Sequence, residues 1–149
     1  MDSIQREQMR QFERKKNKRK LKVFDGKPSK AELDKLWAEI IKKRAGYKSE
    51  LSGKGKKEGI EIAAHHIYGK SNLRLRYDLQ NGICLENYKE HLWGVHNKNN
   101  PQLANKTFNR IAEYIGQKRL NYLDSLCNKT IKQDLNIIKI YLQSELKKL

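Results

Sequence analysis

Four histidines occur in this chain of 149 residues, and all of them fall between positions 65 and 96. Two are adjacent, His65-His66, and the others are His91 and His96. An imidazole titrates close to neutral pH, so it can take a proton from water or, when neutral, offer a nitrogen lone pair to a metal ion. Histidines serving only as core or surface residues have no reason to crowd into so short a window. Fixed cations surround them, with Lys54, Lys56 and Lys57 before the pair and Lys70, Arg74 and Arg76 after it. A base of near-neutral pKa, a divalent cation and positive charges to hold a polyanion are the three requirements of phosphodiester cleavage.

These residues need elements to bring them together. Residues 59–67 read as a strand with Ile60, Ile62 and Ala64 on one side, and Ile83-Cys84-Leu85 after Asn81-Gly82 reads as a second. A helix over residues 87–97 would then carry His91 and His96. A strand–loop–strand–helix order returns that helix to the end of the first strand, so imidazoles from both can share one ion. The spacing of His91 and His96 is five, and four is the interval that stacks side chains along one face of an α helix. One of the two is therefore expected to bind, with Asn87 as a substitute ligand.

Ala64-His65-His66-Ile67, the run Arg76-Tyr77-Asp78-Leu79-Gln80-Asn81-Gly82-Ile83, and the later His91 and His96 resemble the HNH, or ββα-metal, nuclease motif. The resemblance spans about residues 47–100, and the layout around it is similar to bacteriophage HNH proteins, including NinG-type recombination nucleases. It implies His65 and His91 as metal ligands with His96 a third, His66 as the general base, and Asn81 as the brace of the loop; Asp78 is expected to stabilise that loop rather than bind metal. It also implies one divalent ion, Mg2+ or Mn2+ first and Ni2+ or Zn2+ as alternatives. Many such proteins hold a structural zinc between two CxxC pairs. Here Ser49 and Ser52 stand in the first pair's place and Cys84, Glu86, Asn87 and Lys89 in the second's, so no structural zinc is expected.

The rest of the chain frames this core. Ser29 and Glu32 have capping-box spacing, and Leu33, Leu36, Trp37, Ile40 and Ile41 follow at helical intervals up to Lys42, Lys43, Arg44 and Gly46. Beyond residue 101, Phe108, Ile111, Ala112 and Ile115 form one helical face ended by Gly116, Tyr122, Leu123 and Leu126 a short piece, and Ile131, Leu135, Ile138, Leu142 and Leu146 a long stripe. The predicted fold is α+β: a small ββα-metal core over residues 29–100 with its leading N-terminal helix, a helical C-terminal extension over 101–149, and a basic arm over 1–28. Trp37 and Trp93 are expected in the core, Cys84 as a small buried hydrophobe, and the C-terminal stripe as a packing face that also offers a route to a homodimer.

Composition narrows the partner. Thirty-three Lys and Arg against 17 Asp and Glu give a net charge of +16, which points to nucleic acid. No apolar stretch approaches a bilayer span, no secretory signal is expected at the N-terminus, and two distant cysteines make no disulfide framework. A cytoplasmic setting, the host's if the chain is phage-encoded, follows as the expectation. The function expected is metal-dependent endonucleolytic hydrolysis of DNA, double-stranded or branched. The alternatives are a catalytically decayed binding protein of the same fold and an RNA-cutting nuclease.

Overall fold

The computed structural model describes residues 26–149. Nearly all of the basic arm expected over residues 1–28 lies outside the described residues. The first helix, α1 (Lys30–Arg44), begins as its sequence dictates: the Ser29 side chain accepts a hydrogen bond of 3.1 Å from the Glu32 amide. Leu33, Trp37, Ile40 and Ile41 form its buried face, and three cations occupy the last turn, where the helix dipole favours them. Gly46 and Tyr47 then both adopt positive φ and turn the chain back.

Strands β1 (Ile62–His66) and β2 (Gly82–Glu86) pair antiparallel, with His65 opposite Ile83 and His66 opposite Gly82. The first strand starts later than predicted because Lys56–Glu58 wind into a 3-10 turn that Gly59 closes at φ 71°. Three helices follow: α2 (Asn87–Val95), α3 (Pro101–Leu126) and α4 (Leu135–Lys148). The break expected at Gly116 is a kink, with non-helical φ 78° and ψ 161° inside one element. The C-terminal stripe is interrupted. Asp134 caps α4 through the amides of Asn136 and Ile137, which leaves Ile131 outside the helix and exposed.

The hairpin lies between two apolar layers, sorted by the two-residue period of a strand. Cys84 faces Leu33, Trp37, Ile40, Ile41 and Leu142, so this layer joins α1 to α4. Ile83 and Leu85 face Val95 and Ile111 of α2 and α3. Leu135, Ile138 and Leu146 pack with Leu142 against the α1 layer, so the stripe considered for a homodimer is covered within the chain. Contact between α1 and the hairpin is close at Gly82, where a Cβ would lie 2.3 Å from Ile41 Cδ1 and 2.8 Å from Trp37 Cζ2. Trp37 is in the core as predicted, at 1% exposure. Trp93 is not: it is 66% exposed, because Glu90, Gly94 and Val95 form the buried side of α2.

The serines that stand in the place of the first CxxC pair are tied to carboxylates. Ser49 Oγ donates to Glu90 Oε2 at 2.5 Å, and Ser52 Oγ donates to Glu86 Oε1 at 2.5 Å. Glu90 Oε2 also accepts from the Glu86 amide at 2.9 Å, and Ser49 Oγ accepts from the amides of Leu51 and Ser52 at 3.1 Å each. Charge-assisted bonds thus pin the 49–52 turn to the start of α2 without requiring an ion. Ser49→Ala removes one of them from a buried site and is expected to cost about 2–3 kcal/mol in urea unfolding. Protein treated with chelator is expected to retain its native far-UV circular dichroism.

Candidate metal centre

Strand alternation sends the adjacent histidines of β1 to opposite faces of the hairpin. His65 faces α2 and α3, and His66 faces α1. On the first face, one ligand nitrogen each from His65, His91 and His96 lie within 4.8 Å of one another. The three rings meet nearly edge to face, with centroids 5.3 Å (His65–His91), 5.1 Å (His65–His96) and 4.7 Å (His91–His96) apart. Phe108 of α3 closes one side, 6.5 Å from His65. His65 is buried, His91 half-buried and His96 exposed, so the cluster has a sheltered floor and an open mouth.

Both helical histidines take part, as the resemblance implied and the five-residue spacing in an α helix did not, because α2 is wound as a π helix. The amide of His96 bonds the carbonyl of His91 at 3.0 Å, an i→i+5 link that sets one residue over the other. In an α helix the same five-residue step would carry His96 about 140° around the axis from His91. Gly94 permits the winding to pack closely, since a Cβ there would meet Thr107 Oγ1 at 2.9 Å. Asn87, the substitute ligand, donates its side-chain amide to Glu61 Oε2 at 3.3 Å.

Does the cluster suit a metal ion? Among the described residues, the buried side-chain nitrogens and oxygens without a hydrogen-bond partner are His65 Nε2 and His91 Nδ1. Buried polar atoms are rarely left so, and here both belong to the same three-imidazole group. Burial, followed by the nearby charges of His91, His96 and His66, drives the His65 pKa down to about 3. Burial, then His96, also lowers that of His91. Burial thus favours the neutral form of both rings, the form that ligates. The donor set fits a divalent ion.

On the other face, His66 stacks on Trp37 at 3.7 Å and 8° between planes, and its Nε2 lies 2.8 Å from the Arg76 carbonyl. A carbonyl only accepts, so Nε2 carries the proton and Nδ1 of the neutral ring carries the lone pair. Burial lowers the His66 pKa, opposed by the Arg76 carbonyl bond and aided by Lys70. Asn81 is buried beneath the loop between the strands. Its Oδ1 accepts from the Tyr68 amide at 2.8 Å, and its Nδ2 donates to the carbonyls of Tyr68 (2.8 Å) and Leu75 (3.1 Å). Asn81→Ala leaves all three groups without that partner and is expected to lower stability by about 2–4 kcal/mol in denaturant titration. Asp78 also holds the loop, accepting from the Gln80 amide and the Tyr122 hydroxyl.

The six basic residues expected at phosphate divide into two groups. Arg76 is paired bidentately with Asp34 at 3.0 and 2.7 Å, and Lys70 reaches the same carboxylate at 3.4 Å. Both therefore anchor the loop to α1, and Arg76 is not presented for phosphate as its sequence position suggested. Arg74, Lys54, Lys56 and Lys57 are exposed, with Lys56 over the Tyr47 ring at 4.7 Å. A second basic stretch was not singled out from the sequence. Residues 87–112 carry Lys89, Lys98, Lys106 and Arg110, and their one acid, Glu90, is buried in the serine–glutamate cluster. Its signal was present as a run of residues almost free of carboxylates, surrounding the histidine cluster.

No helix among the described residues is long and apolar enough to cross a membrane. Compared with known proteins, the chain matches no family model, no curated protein and no solved structure.

Proposed function

We propose that the protein is a metal-dependent endonuclease with a ββα-metal centre, acting on DNA. The observation that carries this reading is the convergence of His65, His91 and His96, with two buried ring nitrogens lacking any other partner. Strand, loop, strand and helix supply them in the order that the HNH resemblance implies, and a net charge of +16 suits a phosphate backbone.

His65, His91 and His96 would hold the ion. Three imidazole donors with no carboxylate among them favour Zn2+, Ni2+ or Co2+ over Mg2+, which selects oxygen ligands. Once bound, a divalent ion there supplies charge neutralisation to the phosphate and to the departing oxygen. His66 would accept the proton of the attacking water at Nδ1, its tautomer fixed by the Arg76 carbonyl. His66 is the last residue of β1, so a phosphate lying across the strand end can meet both faces of the hairpin. Asn81, Asp78 and the Asp34–Arg76 pair position the loop that holds this imidazole.

One observation favours a second reading. Because His66 stands on the opposite face from the triad, the chain also suits a nucleic-acid-binding protein whose metal centre does not cut. Plasmid nicking with Zn2+, Ni2+, Mn2+ and Mg2+, with and without EDTA, separates the two. The nuclease nicks DNA with metal and stops with chelator. A protein that shifts DNA in every condition and never nicks it is the binder.

A further inference from the structure

The outer face of α2 carries Tyr88 at 57% exposure and Trp93 at 66%, with Leu92 also exposed between them. Tyr88 and Trp93 stand five residues apart, the interval that the π winding stacks, as it does His91 and His96. Trp93 and Tyr88 share α2 with His91 and His96, and Trp93, two residues from His91, points to a different side of the helix. So bare an aromatic surface is expected to have an occupant.

Charge selects the occupant. Lys89 is exposed on α2 beside Tyr88 in sequence and Lys98 just past the helix end, while Lys106 and Arg110 are exposed on α3, Arg110 3.8 Å from Glu90 on the buried side of α2. No exposed carboxylate occurs between residues 87 and 112. An apolar protein partner would cover the rings and leave these cations unmatched. Nucleic acid offers both complements, phosphates to the lysines and base faces to the rings. A duplex hides those base faces within its own stack, and an unpaired strand presents them.

We infer that the outer face of α2 is a base-stacking platform, on which Trp93 and Tyr88 hold an unpaired nucleotide on the same helix that supplies His91 and His96 to the metal centre. The inference deepens the nuclease reading, on which its link to a cleavage reaction rests. It gives the substrate class as single-stranded or locally opened nucleic acid, such as a branch point or frayed end.

The test uses full-length protein in EDTA, so that nothing is cut, and follows tryptophan fluorescence during titration with short oligo(dT). Trp37 is buried, so quenching reports Trp93. Oligo(dT) is expected to quench strongly and a blunt duplex of equal length weakly. Trp93→Ala is expected to weaken oligo(dT) binding about tenfold, by anisotropy, while changing duplex binding little, and Tyr88→Ala to act in the same direction. Both positions are exposed, so these variants keep the core intact. Equal quenching by duplex and single strand, or equal affinity of wild type and Trp93→Ala for oligo(dT), overturns the platform. Metal-dependent nicking in a protein whose Trp93→Ala variant binds normally would sink the platform alone. Selective quenching in a protein that never nicks would sink the nuclease reading and leave the platform standing.

Discussion

His91→Ala is expected to lose metal binding and, with it, DNA cleavage. The cluster has three nitrogen donors, and one of its two partnerless buried nitrogens is His91 Nδ1. Loss of a residue that merely orients a ligand weakens metal affinity about 10–100-fold, so removing a ligand itself is expected to exceed that range. Cutting under limiting metal is expected to fall by about 10³ or more, the scale on which loss of transition-state charge stabilisation is felt. Because that nitrogen bonds nothing in the fold, its removal orphans no donor or acceptor, and the variant is expected to remain folded. Thermal stability gives a readout independent of catalysis. An ion at about 100 times its Kd adds about 2.7 kcal/mol to the wild type, and this increment should vanish in the variant. Wild-type metal affinity in His91→Ala would refute the three-histidine centre, whatever the nicking assay gave.

The parts of this centre that were legible in the sequence rest on local physics. Ser29 and the 3.6-residue spacing of Leu33, Trp37, Ile40 and Ile41 define α1 without help from the rest of the fold. The short apolar run Ile83-Cys84-Leu85 after Asn81-Gly82 marks the second strand, and residue type alone gathers the histidines. The opposite facing of His65 and His66 follows from strand alternation but was not drawn from the sequence, which grouped both at one centre. The π winding of α2 was not legible. Its five-residue interval looks like a fault in α-helical phase until the His96 amide is seen on the His91 carbonyl. Trp93 was assigned to the core on residue type, and only the burial of Glu90, Gly94 and Val95 turns it outward. Pairs distant in sequence were equally hidden. Ser49 meets Glu90 across 41 positions and Arg76 meets Asp34 across 42, and no local pattern couples them. Each of these hidden features bears on the site: one completes the ligand set, one exposes a stacking surface, and two hold the segments that carry them.

The second large effect is expected at His66, where the choice of substitution decides what is learned. Alanine would remove a ring stacked 3.7 Å from Trp37 and strip the Arg76 carbonyl of its donor, so loss of cutting could reflect a disturbed loop. Glutamine is the sharper probe. Its amide can donate to that carbonyl, its bulk occupies much of the same space, and it has no basic nitrogen for the attacking water. His66→Gln is therefore expected to bind metal and oligo(dT) as the wild type does and to cut about 10²–10⁴ times more slowly, the contribution of a positioned general base. Because His66 lies across the hairpin from the triad, metal affinity should not move, and this separates its role from that of His91. If His66→Gln cuts at the wild-type rate while His91→Ala is inert, the base is not His66. The reaction would then belong to the triad face alone, and the imidazole on Trp37 would be a structural residue.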